Sequence, residues 1–377
     1  MRLNYLKTLL LPALAAGLFL SCPAYAQHEN DLMFGVVDNR AGVMEPDNFE
    51  VPKIMYFSSG IQAYIRDQGV DFELNPDTWN YYIRAMRWQQ TYISPGLVGG
   101  NRFGGNNPGF LALDWDNPHL HMPFIAPAPG VYKMKFKVMD AILANGAPIP
   151  DSEELTMTWV AGSNFAQLPI HEIRNLPDTP AGSPTNGFAG VDLRSVVVTS
   201  ASGQFQGGFY VQTEDRTGGL FVQSGLSFQP GDKINILQGY LRTVGAERAI
   251  QAVNITPGQM GQGVFPLFMK ASLVGGPPTG KYTPGIEQAL GVSNTGLLIK
   301  VAGKIVHSGG KVYVNDGSQF SDGRPGLEID VSMLNIPVSL PANNQFAMVT
   351  GISGIREHGS GFVPVIRPRA ASDIVIP

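Results

Sequence analysis

Two stretches of the chain, residues 191–255 and 297–374, share a pattern that few folds accommodate. Each contains about five short apolar segments of strand length, separated by glycine-rich turns. Short strands at this spacing are typical of small closed β-barrels of the oligonucleotide/oligosaccharide-binding (OB) kind. The sequence therefore predicts two OB-like barrels in tandem, a kind of domain that binds ligands far more often than it catalyses reactions.

The strand boundaries follow from the alternation of apolar and polar residues, which places one side chain in the core and the next in water. In the first barrel the expected strands are residues 193–199, 208–212, 219–223, 233–241 and 248–255. In the second barrel they are residues 297–307, 311–315, 327–331, 346–353 and 363–367.

Residues 27–165 are expected to form a β-sandwich-like domain before the barrels. Residues 131–138 alternate apolar side chains with lysine, as a half-buried strand does, and residues 155–160 are expected to pair with them in antiparallel fashion. Two such strands at one edge favour a sandwich. The helix expected in this domain spans residues 77–90, because this segment follows Pro76 and is rich in aromatic residues and arginine.

The composition favours an all-β class. Gly (45) and Pro (29) make up about a fifth of the chain and charged residues only 15%, a balance that favours turns and short strands over long amphipathic helices. The expected layout is a signal peptide (1–26), the β-sandwich-like domain (27–165), OB-like barrel 1 (185–257), a Gly/Pro-rich linker (258–290) and OB-like barrel 2 (291–377).

The N-terminal residues have the layout of an export signal. Arg2 and Lys7 precede an apolar run over residues 8–20, and Ala-Tyr-Ala at residues 24–26 predicts cleavage after residue 26. The alternative is a lipoprotein signal, in which Cys22 becomes the acylated first residue. Both routes predict a protein that is secreted, periplasmic or held at the cell surface.

Cys22 is the single cysteine, so cleavage after residue 26 leaves a mature chain that cannot form disulfides or thiolate metal sites. Loss of Arg2 and Lys7 changes the formal net charge from −4 to −6, and no Lys/Arg block remains. Strong nucleic-acid binding through phosphate contacts is therefore not expected. No further stretch reaches the roughly 18 apolar residues of a transmembrane segment. The expected partner is an extracellular ligand or a cell-surface component.

Short motifs link both barrels to a known kind of repeat. In the first half they are residues 208–211, 214–216, 218–220, 231–232, 239 and 247–250, and in the second half residues 266–267, 294–298, 303–304, 315–318, 349–353 and 364–374. Together they resemble an OB-like repeat unit of secreted proteins from planctomycete- and armatimonad-type bacteria, over about residues 168–376. The resemblance implies an extracellular module that is appended to other domains and has no established activity.

A second resemblance concerns the N-terminal domain. His119-Leu120-His121, followed by Phe124 and by the strand that starts at Gly130, is similar to bacterial surface-anchored domains of the choice-of-anchor M type. Some of these domains are linked to zinc or manganese uptake. The resemblance implies a surface setting for residues 27–165.

His119 and His121 are the best candidates for metal ligands. On one strand their side chains would point to the same face, where two imidazoles can share one transition-metal ion. A carboxylate from Asp114 or Asp116, with His28 from the mature N-terminus, would complete three or four ligands, and zinc is the expected ion. The alternative is a surface strand whose histidines bond to the backbone or to water.

Aromatic residues on the strands of the barrels are the candidates for ligand binding. Exposed rings on the second and third strands of an OB-like barrel are stacking surfaces for bases and sugar rings. The candidates are Tyr210, Phe221, Tyr240 and Tyr313. Because strand residues alternate between core and surface, about half of such rings are expected to point inwards.

The sequence presents neither a nucleophile elbow nor a phosphate-binding loop. It therefore favours an exported, non-catalytic binding or assembly protein associated with the cell surface. Two alternatives come from the same candidates. One is a zinc-binding accessory protein that uses His119 and His121, and the other is oligosaccharide or single-strand nucleic-acid binding by the OB-like barrels.

Overall fold

The structure is a computed structural model, and it describes residues 32–43, 49–72, 74–75, 80–81, 83–99, 110–114, 120–185, 187–258 and 263–377. Strands dominate these residues, which confirms the predicted all-β class with a β-sandwich-like domain and OB-like barrels. The chain divides into two compact units, residues 1–166 with 180–189 and residues 167–179 with 190–377. Each unit is described by itself below.

The first unit is built around one long sheet. Its strands are β1 (Leu32–Val37), β2 (Arg40–Val43), β3 (Lys53–Ser58), β4 (Ala63–Phe72), β5 (Leu74–Asn75), β6 (Asn80–Tyr81), β7 (Ile83–Ile93), β8 (Phe110–Asp114), β9 (Leu120–Ala126), β10 (Gly130–Leu143) and β11 (Leu155–Ala161). The sheet has the order β2-β1-β4-β3-β11-β10-β7-β8, with β9 paired to β4, and β5 pairs with β6 separately.

This sheet folds over on itself to enclose a core. Phe34 in β1 and Trp88 in β7 are far apart along the strand order, yet their rings meet edge to face with centroids 5.9 Å apart. Trp88 also stacks on Phe136 of β10 at 3.9 Å, and Phe124 lies 4.2 Å from Trp159. All five rings are buried, so the two ends of the sheet pack as the layers of a sandwich.

The alternation predicted for residues 131–138 is present in β10. Met134, Phe136 and Val138 are buried, whereas the lysines between them lie on the solvent side. The predicted antiparallel pairing with residues 155–160 is confirmed, because Met134 lies opposite Met157 of β11. Period-two alternation is a local signal, and it is sufficient to place this strand.

The helix predicted over residues 77–90 is wrong. The end of this segment belongs to β7, which is hydrogen-bonded between β10 and β8. Ile83, Met86 and Trp88 are buried in the sandwich core, whereas Arg87 is exposed. A strand is required to place these apolar side chains in the core, so packing outweighs the local signals that favoured a helix.

The strand β12 (Phe165–Gln167) lies at the boundary between the two units. The second unit continues with a short helical turn, α1 (Ile170–Ile173), which precedes its other strands. The strands are β13 (Gly190–Val198), β14 (Gly208–Gln212), β15 (Gly219–Gln223), β16 (Lys233–Val244), β17 (Glu247–Pro257), β18 (Leu267–Phe268), β19 (Leu298–Ser308), β20 (Lys311–Asn315), β21 (Leu327–Ile329), β22 (Phe346–His358), β23 (Gly361–Arg367) and β24 (Ile374–Val375).

Both barrels follow the same strand order. The first runs β13-β14-β15-β17-β16 and is closed by pairing of β13 with β16, with β15 and β17 parallel. The second runs β19-β20-β21-β23-β22, β19 also pairs with β22, and β21 and β23 are parallel. The strands predicted at residues 208–212, 219–223 and 311–315 are confirmed to the residue.

Part of the segment expected as a linker packs into the second barrel. Leu267 in β18 pairs in parallel with Ile299 of β19. Ala271 and Val274 are buried in the same core cluster as Ile299 and Val301. Residues 267–274 therefore form part of the wall of the barrel that follows them.

The two barrels share an apolar contact within the second unit. Tyr210 and Phe221 of the first barrel are buried in one cluster with Leu298 and Ile352 of the second. Next to this cluster the backbones meet at Gly219, where a Cβ would overlap the backbone of Gly296. Glycine is required on both sides because any side chain would push the barrels apart.

A buried ionic cluster lies beside this contact. Arg367 of β23 places Nη1 2.5 Å from Oε1 of Glu247 in β17 and Nε 3.0 Å from Oδ2 of Asp330. The Tyr210 hydroxyl donates to Oε2 of Glu247 at 3.0 Å, and Nη2 of Arg367 donates to the Ile355 carbonyl at 3.0 Å. Buried charges are tolerated when they are paired and hydrogen-bonded in this way.

We expect Gly354→Ala to lower the free energy of unfolding of the second unit by about 1–3 kcal/mol. A Cβ at Gly354 would overlap Nη1 of Arg367 and lie 2.6 Å from Oε1 of Glu247, so the ion pair must shift. All four tryptophans precede residue 167, so stability should be measured by hydrogen exchange of peptides from β22 and β23 in denaturant.

Gly361→Ala is the matched control, because a Cβ there meets nothing within 4 Å in the same hairpin. Its effect should stay within about 0.5 kcal/mol. Equal protection of β22 and β23 in the two variants would contradict the role assigned to the ionic cluster.

Candidate functional site

A cleft opens at the rim of the first unit because β3 pairs with different strands along its length. Phe57 near its end lies opposite Tyr64 of β4, whereas Ile54 and Met55 pair in parallel with β11. The cleft between these strands has a volume of about 310 Å³, within the range of roughly 300–1,000 Å³ of small-molecule sites. The lining residues are Ile54, Met55, Tyr56, Phe57, Tyr64, Gly162, Ser163 and Asn164.

Aromatic rings dominate the cleft. Tyr56 and Phe57 are each 55% exposed, which is unusual for large aromatic side chains in one small area. The Phe57 ring is held edge to face against Tyr64, with centroids 5.3 Å apart. Tyr64 is half-buried and packs against the sandwich core, so it fixes the position of the Phe57 ring. The cleft therefore presents a supported aromatic surface to solvent.

Two glycines allow the backbone to approach the tyrosines. Gly162 has φ +74°, and a Cβ there would lie 2.7 Å from Pro129 and 3.1 Å from the Tyr64 hydroxyl. Gly187 has φ +81°, and a Cβ there would lie 3.4 Å from the Tyr56 hydroxyl. Both φ values favour glycine, so the shape of the cleft depends on residues that cannot be enlarged without strain.

Polar groups surround the rings. The Ser163 hydroxyl is engaged, because it donates to the Phe165 carbonyl at 3.1 Å and accepts from the Phe165 amide at 3.0 Å. Within the described ranges, the hydroxyls of Tyr56 and Tyr64 and the exposed side-chain amide of Asn164 make no hydrogen bond. These three groups can donate to and accept from a ligand.

The lining residues carry no formal charge at neutral pH. Arg66 lies nearby, but its Nη1 is directed to the backbone carbonyls of Ile54 and Gly187, at 3.4 and 3.5 Å. The cleft is therefore a neutral aromatic surface with a hydrogen-bonding rim.

Lys53 begins the same strand and is buried. Its Nζ donates to the Phe49 carbonyl at 2.8 Å and lies 5.7 Å from the centroid of the Phe49 ring and 5.8 Å from that of Phe188. The pKa of Lys53 is lowered to about 7, mainly by burial and in part by the positive charge of Arg66, whereas Glu50 acts in the opposite direction. A lysine with this pKa changes charge near neutral pH.

Four aromatic residues of the barrels were predicted from sequence to contact a ligand, and the structure buries two of them and leaves two half-buried. Tyr210 and Phe221 are buried between the barrels, where the ring faces meet other side chains. Burial and the negative charge of Glu247 raise the pKa of Tyr210, which keeps its hydroxyl protonated as a donor. Neither ring offers a free stacking surface, because the second barrel covers them.

Tyr240 and Tyr313 are half-buried. The guanidinium of Arg242 lies 5.7 Å from the centroid of the Tyr240 ring. Partial burial raises the pKa of Tyr313, with a further contribution from Glu328. These two residues lie in different barrels, on β16 and β20, and the structure does not bring them into one cleft with Tyr56 and Phe57.

The metal-ligand candidates fall largely outside the described residues. His28, Asp116 and His119 are among the residues that the structure does not describe, and only the backbone is described for Asp114 and His121. Asp114 ends β8, which pairs with β7, whereas His121 lies in β9, which pairs with β4. In the described ranges no group of three His, Cys, Asp or Glu side chains could hold a metal ion, and the zinc site stays a prediction.

A second cavity lies inside the second unit, where Arg174, Glu247 and Arg248 face one another. Its volume of about 10 Å³ is the size of a single water molecule. Nη2 of Arg174 donates to the hydroxyls of Ser293 at 2.7 Å and Thr295 at 2.5 Å. This cavity belongs to the internal hydrogen-bonding of the barrels and is too small for an organic ligand.

The residues of the cleft were not among the candidates from sequence. A signal does exist there, since the strand over residues 53–57 ends in Tyr-Phe and is followed by a Ser-Ser-Gly turn and an alternating segment. That pattern predicts a hairpin with aromatic residues at its end, but not that the first residues of β3 pair with a second strand, β11. The second pairing is what opens the cleft.

In the part of the chain that the structure describes, no helix combines the length and apolar character needed to cross a membrane. Comparison with known proteins gives no match to a family model, a curated protein or a solved structure.

We expect the first unit to become more stable as the pH rises from about 7 towards 10. The pKa of Lys53 is lower in the folded than in the unfolded chain, so the unfolded chain binds the extra proton in this range. Below pH 7 the lysine is charged in both states and the cost of burying it is fully present. Denaturant unfolding followed by tryptophan fluorescence at pH 6.5, 8 and 9.5 measures the effect.

Lys53→Met should remove most of this pH dependence, which amounts to at most about 1.4 kcal/mol per pH unit. Lys137→Met is the control, because Lys137 is exposed on β10 in the same unit, and it should keep the wild-type slope. Parallel pH profiles for the wild type and Lys53→Met would show that Lys53 does not change protonation on folding.

Proposed function

We propose that this protein is an exported, non-catalytic binding protein of the cell surface, which holds an extracellular ligand in the aromatic cleft of its first unit. The observation that supports this function best is the exposed ring of Phe57, which rests edge to face on Tyr64 and lies next to a second exposed ring, Tyr56. Export rests on the N-terminal pattern, with Arg2 and Lys7 beside an apolar run and a small-residue cleavage site.

Energetics favour a binding role for the cleft. Removal of apolar surface from water contributes about 25 cal/mol per Å², and aromatic side chains bury more area than most. Tyrosine is also enriched among the residues that contribute most to binding at interfaces. A ligand that covers the Phe57 ring while bonding to Asn164 would gain both from burial of apolar surface and from hydrogen bonding.

The chemistry of the cleft favours binding without catalysis. Its one aliphatic hydroxyl, on Ser163, is held by the backbone of Phe165. Nucleophilic catalysis needs a base beside the nucleophile, and none of the lining residues is a base. In the second unit, the acid Glu247 bonds to Arg367 and is used to join the two barrels.

We expect the secreted protein to begin at residue 27 and to bind isolated cell envelopes of the producing organism through the cleft. The double variant Tyr56→Ala/Phe57→Ala should bind at least about tenfold more weakly, because the loss of two stacked or buried rings exceeds 1.4 kcal/mol. Mass spectrometry of the mature protein and quantitative sedimentation with envelopes measure the two parts of this prediction.

Tyr92→Ala provides the control, since Tyr92 is a 46% exposed aromatic residue on β7 of the same unit and does not line the cleft. It should bind envelopes like the wild type. Equal binding by the cleft variant and the wild type would refute the assignment of the cleft, and a hydrolytic activity that disappears with one side-chain change would refute a non-catalytic role.

A further inference from the structure

We infer that the aromatic cleft binds a neutral saccharide, with one sugar ring laid against Phe57. This inference rests on the proposed function, because it names the ligand class for the same cleft. Three properties of the cleft carry it: an exposed and supported ring, a rim of unengaged hydroxyl and amide groups, and the lack of charge in its lining.

The face of the Phe57 ring can bind a flat apolar surface of a ligand that carries partial positive charge. Aromatic faces carry negative charge from the π-system. The C–H groups on one face of a pyranose ring carry partial positive charge, because the neighbouring oxygens polarise them. They are therefore attracted to the negative face of the aromatic ring although the sugar has no formal charge. The edge-to-face contact with Tyr64 fixes the Phe57 ring, so little conformational freedom is lost when a sugar stacks on it.

The rim matches the hydroxyl groups that surround a sugar ring. Two phenol hydroxyls, on Tyr56 and Tyr64, and the amide of Asn164 are without a partner in the part of the chain that the structure describes. A phenol or an amide both donates and accepts, as does each sugar hydroxyl. A ligand with several hydroxyls in the plane of its ring is therefore complementary to this rim.

The absence of charged residues in the lining of the cleft favours neutral saccharides over other ligands that contain rings. A nucleotide brings phosphate, which proteins bind through arginine, lysine or a helix N-terminus. None of the lining residues carries such a charge, and Arg66 is directed to the carbonyls of Ile54 and Gly187. The same argument disfavours uronic acids and sulfated sugars, so the inference is limited to neutral saccharides.

The size and depth of the cleft also favour a sugar over a lipid chain. Drug-sized ligands usually bury 70–90% of their surface in a pocket, and a lipid chain must bury most of its apolar surface to bind. This cleft is open at the rim of the sandwich and holds only about 310 Å³. An open cleft covers one face of its ligand, which suits one residue within a longer polysaccharide.

The deciding experiment compares wild-type binding to envelopes treated in two ways. Periodate oxidises vicinal diols of sugars, whereas proteinase K removes protein. We expect periodate to reduce binding at least about tenfold and proteinase K to leave it within about twofold. Loss of binding after proteinase K, with no effect of periodate, would overturn the saccharide and favour a protein partner.

Salt dependence tests the neutral character of the ligand. Binding should change less than about threefold between 0.05 and 0.5 M NaCl, because no formal charges meet in the contact. A steep loss of binding in high salt would show an anionic ligand and overturn the inference even if periodate abolishes binding.

Variants at Phe57 distinguish stacking from simple packing. Phe57→Ala should weaken binding at least about tenfold, whereas Phe57→Trp keeps an aromatic face and should stay within about threefold of the wild type. Equal loss in both variants contradicts stacking. Tyr92→Ala should leave binding unchanged. A wild-type unfolding midpoint in every variant, with unaltered tryptophan fluorescence in the two alanine variants, shows that the first unit remains folded.

The outcomes separate this inference from the proposed function. Binding that depends on Tyr56 and Phe57 but resists periodate leaves a binding protein whose ligand is not a saccharide. Binding that does not depend on these residues removes both the cleft and its ligand class.

Discussion

The guanidinium of Arg367 joins the two barrels of the second unit. Its side chain is only 5% exposed, and it bonds to Glu247 from the first barrel and to Asp330 from the second. Removal of one partner from a buried ion pair costs about 3–5 kcal/mol, because the other charge remains uncompensated. Separation of the barrels would break this pair, and it would also expose the apolar cluster around Tyr210 and Phe221. The folding of either barrel is therefore coupled to that of the other.

Much of the barrel architecture could be predicted from sequence because its signals are local. Alternating apolar residues between glycine-rich turns give strand positions directly, as at residues 208–212 and 311–315. The association of the barrels could not be predicted in this way, since Glu247 and Arg367 are 120 positions apart and each resembles an ordinary surface charge. The failed helix at residues 77–90 has the same origin. Aromatic and arginine residues fit either structure locally, and the choice is made by the core that Met86 and Trp88 enter.

The functional site could be predicted less well than the fold. An aromatic residue in a strand can be assigned to one of two faces, but sequence does not show whether another domain covers the outward face. Tyr210 and Phe221 illustrate this, because the neighbouring barrel buries them. Tyr56 and Phe57 remain exposed for the opposite reason, since β3 leaves β11 just before them and pairs with β4. The cleft depends on where strands part, and this is a property of the sheet as a whole.

The contact between Gly219 and Gly296 has a further consequence for the second unit. Backbone lies directly on backbone there, so one barrel cannot turn against the other without overlap of the two chains or loss of the shared apolar cluster. Loops at opposite ends of the pair keep a constant separation. A polymer or filament that touches both barrels must present its two contact points at that interval, because the pair cannot extend to reach them. The spacing between the two barrels is thus set by the fold of this unit.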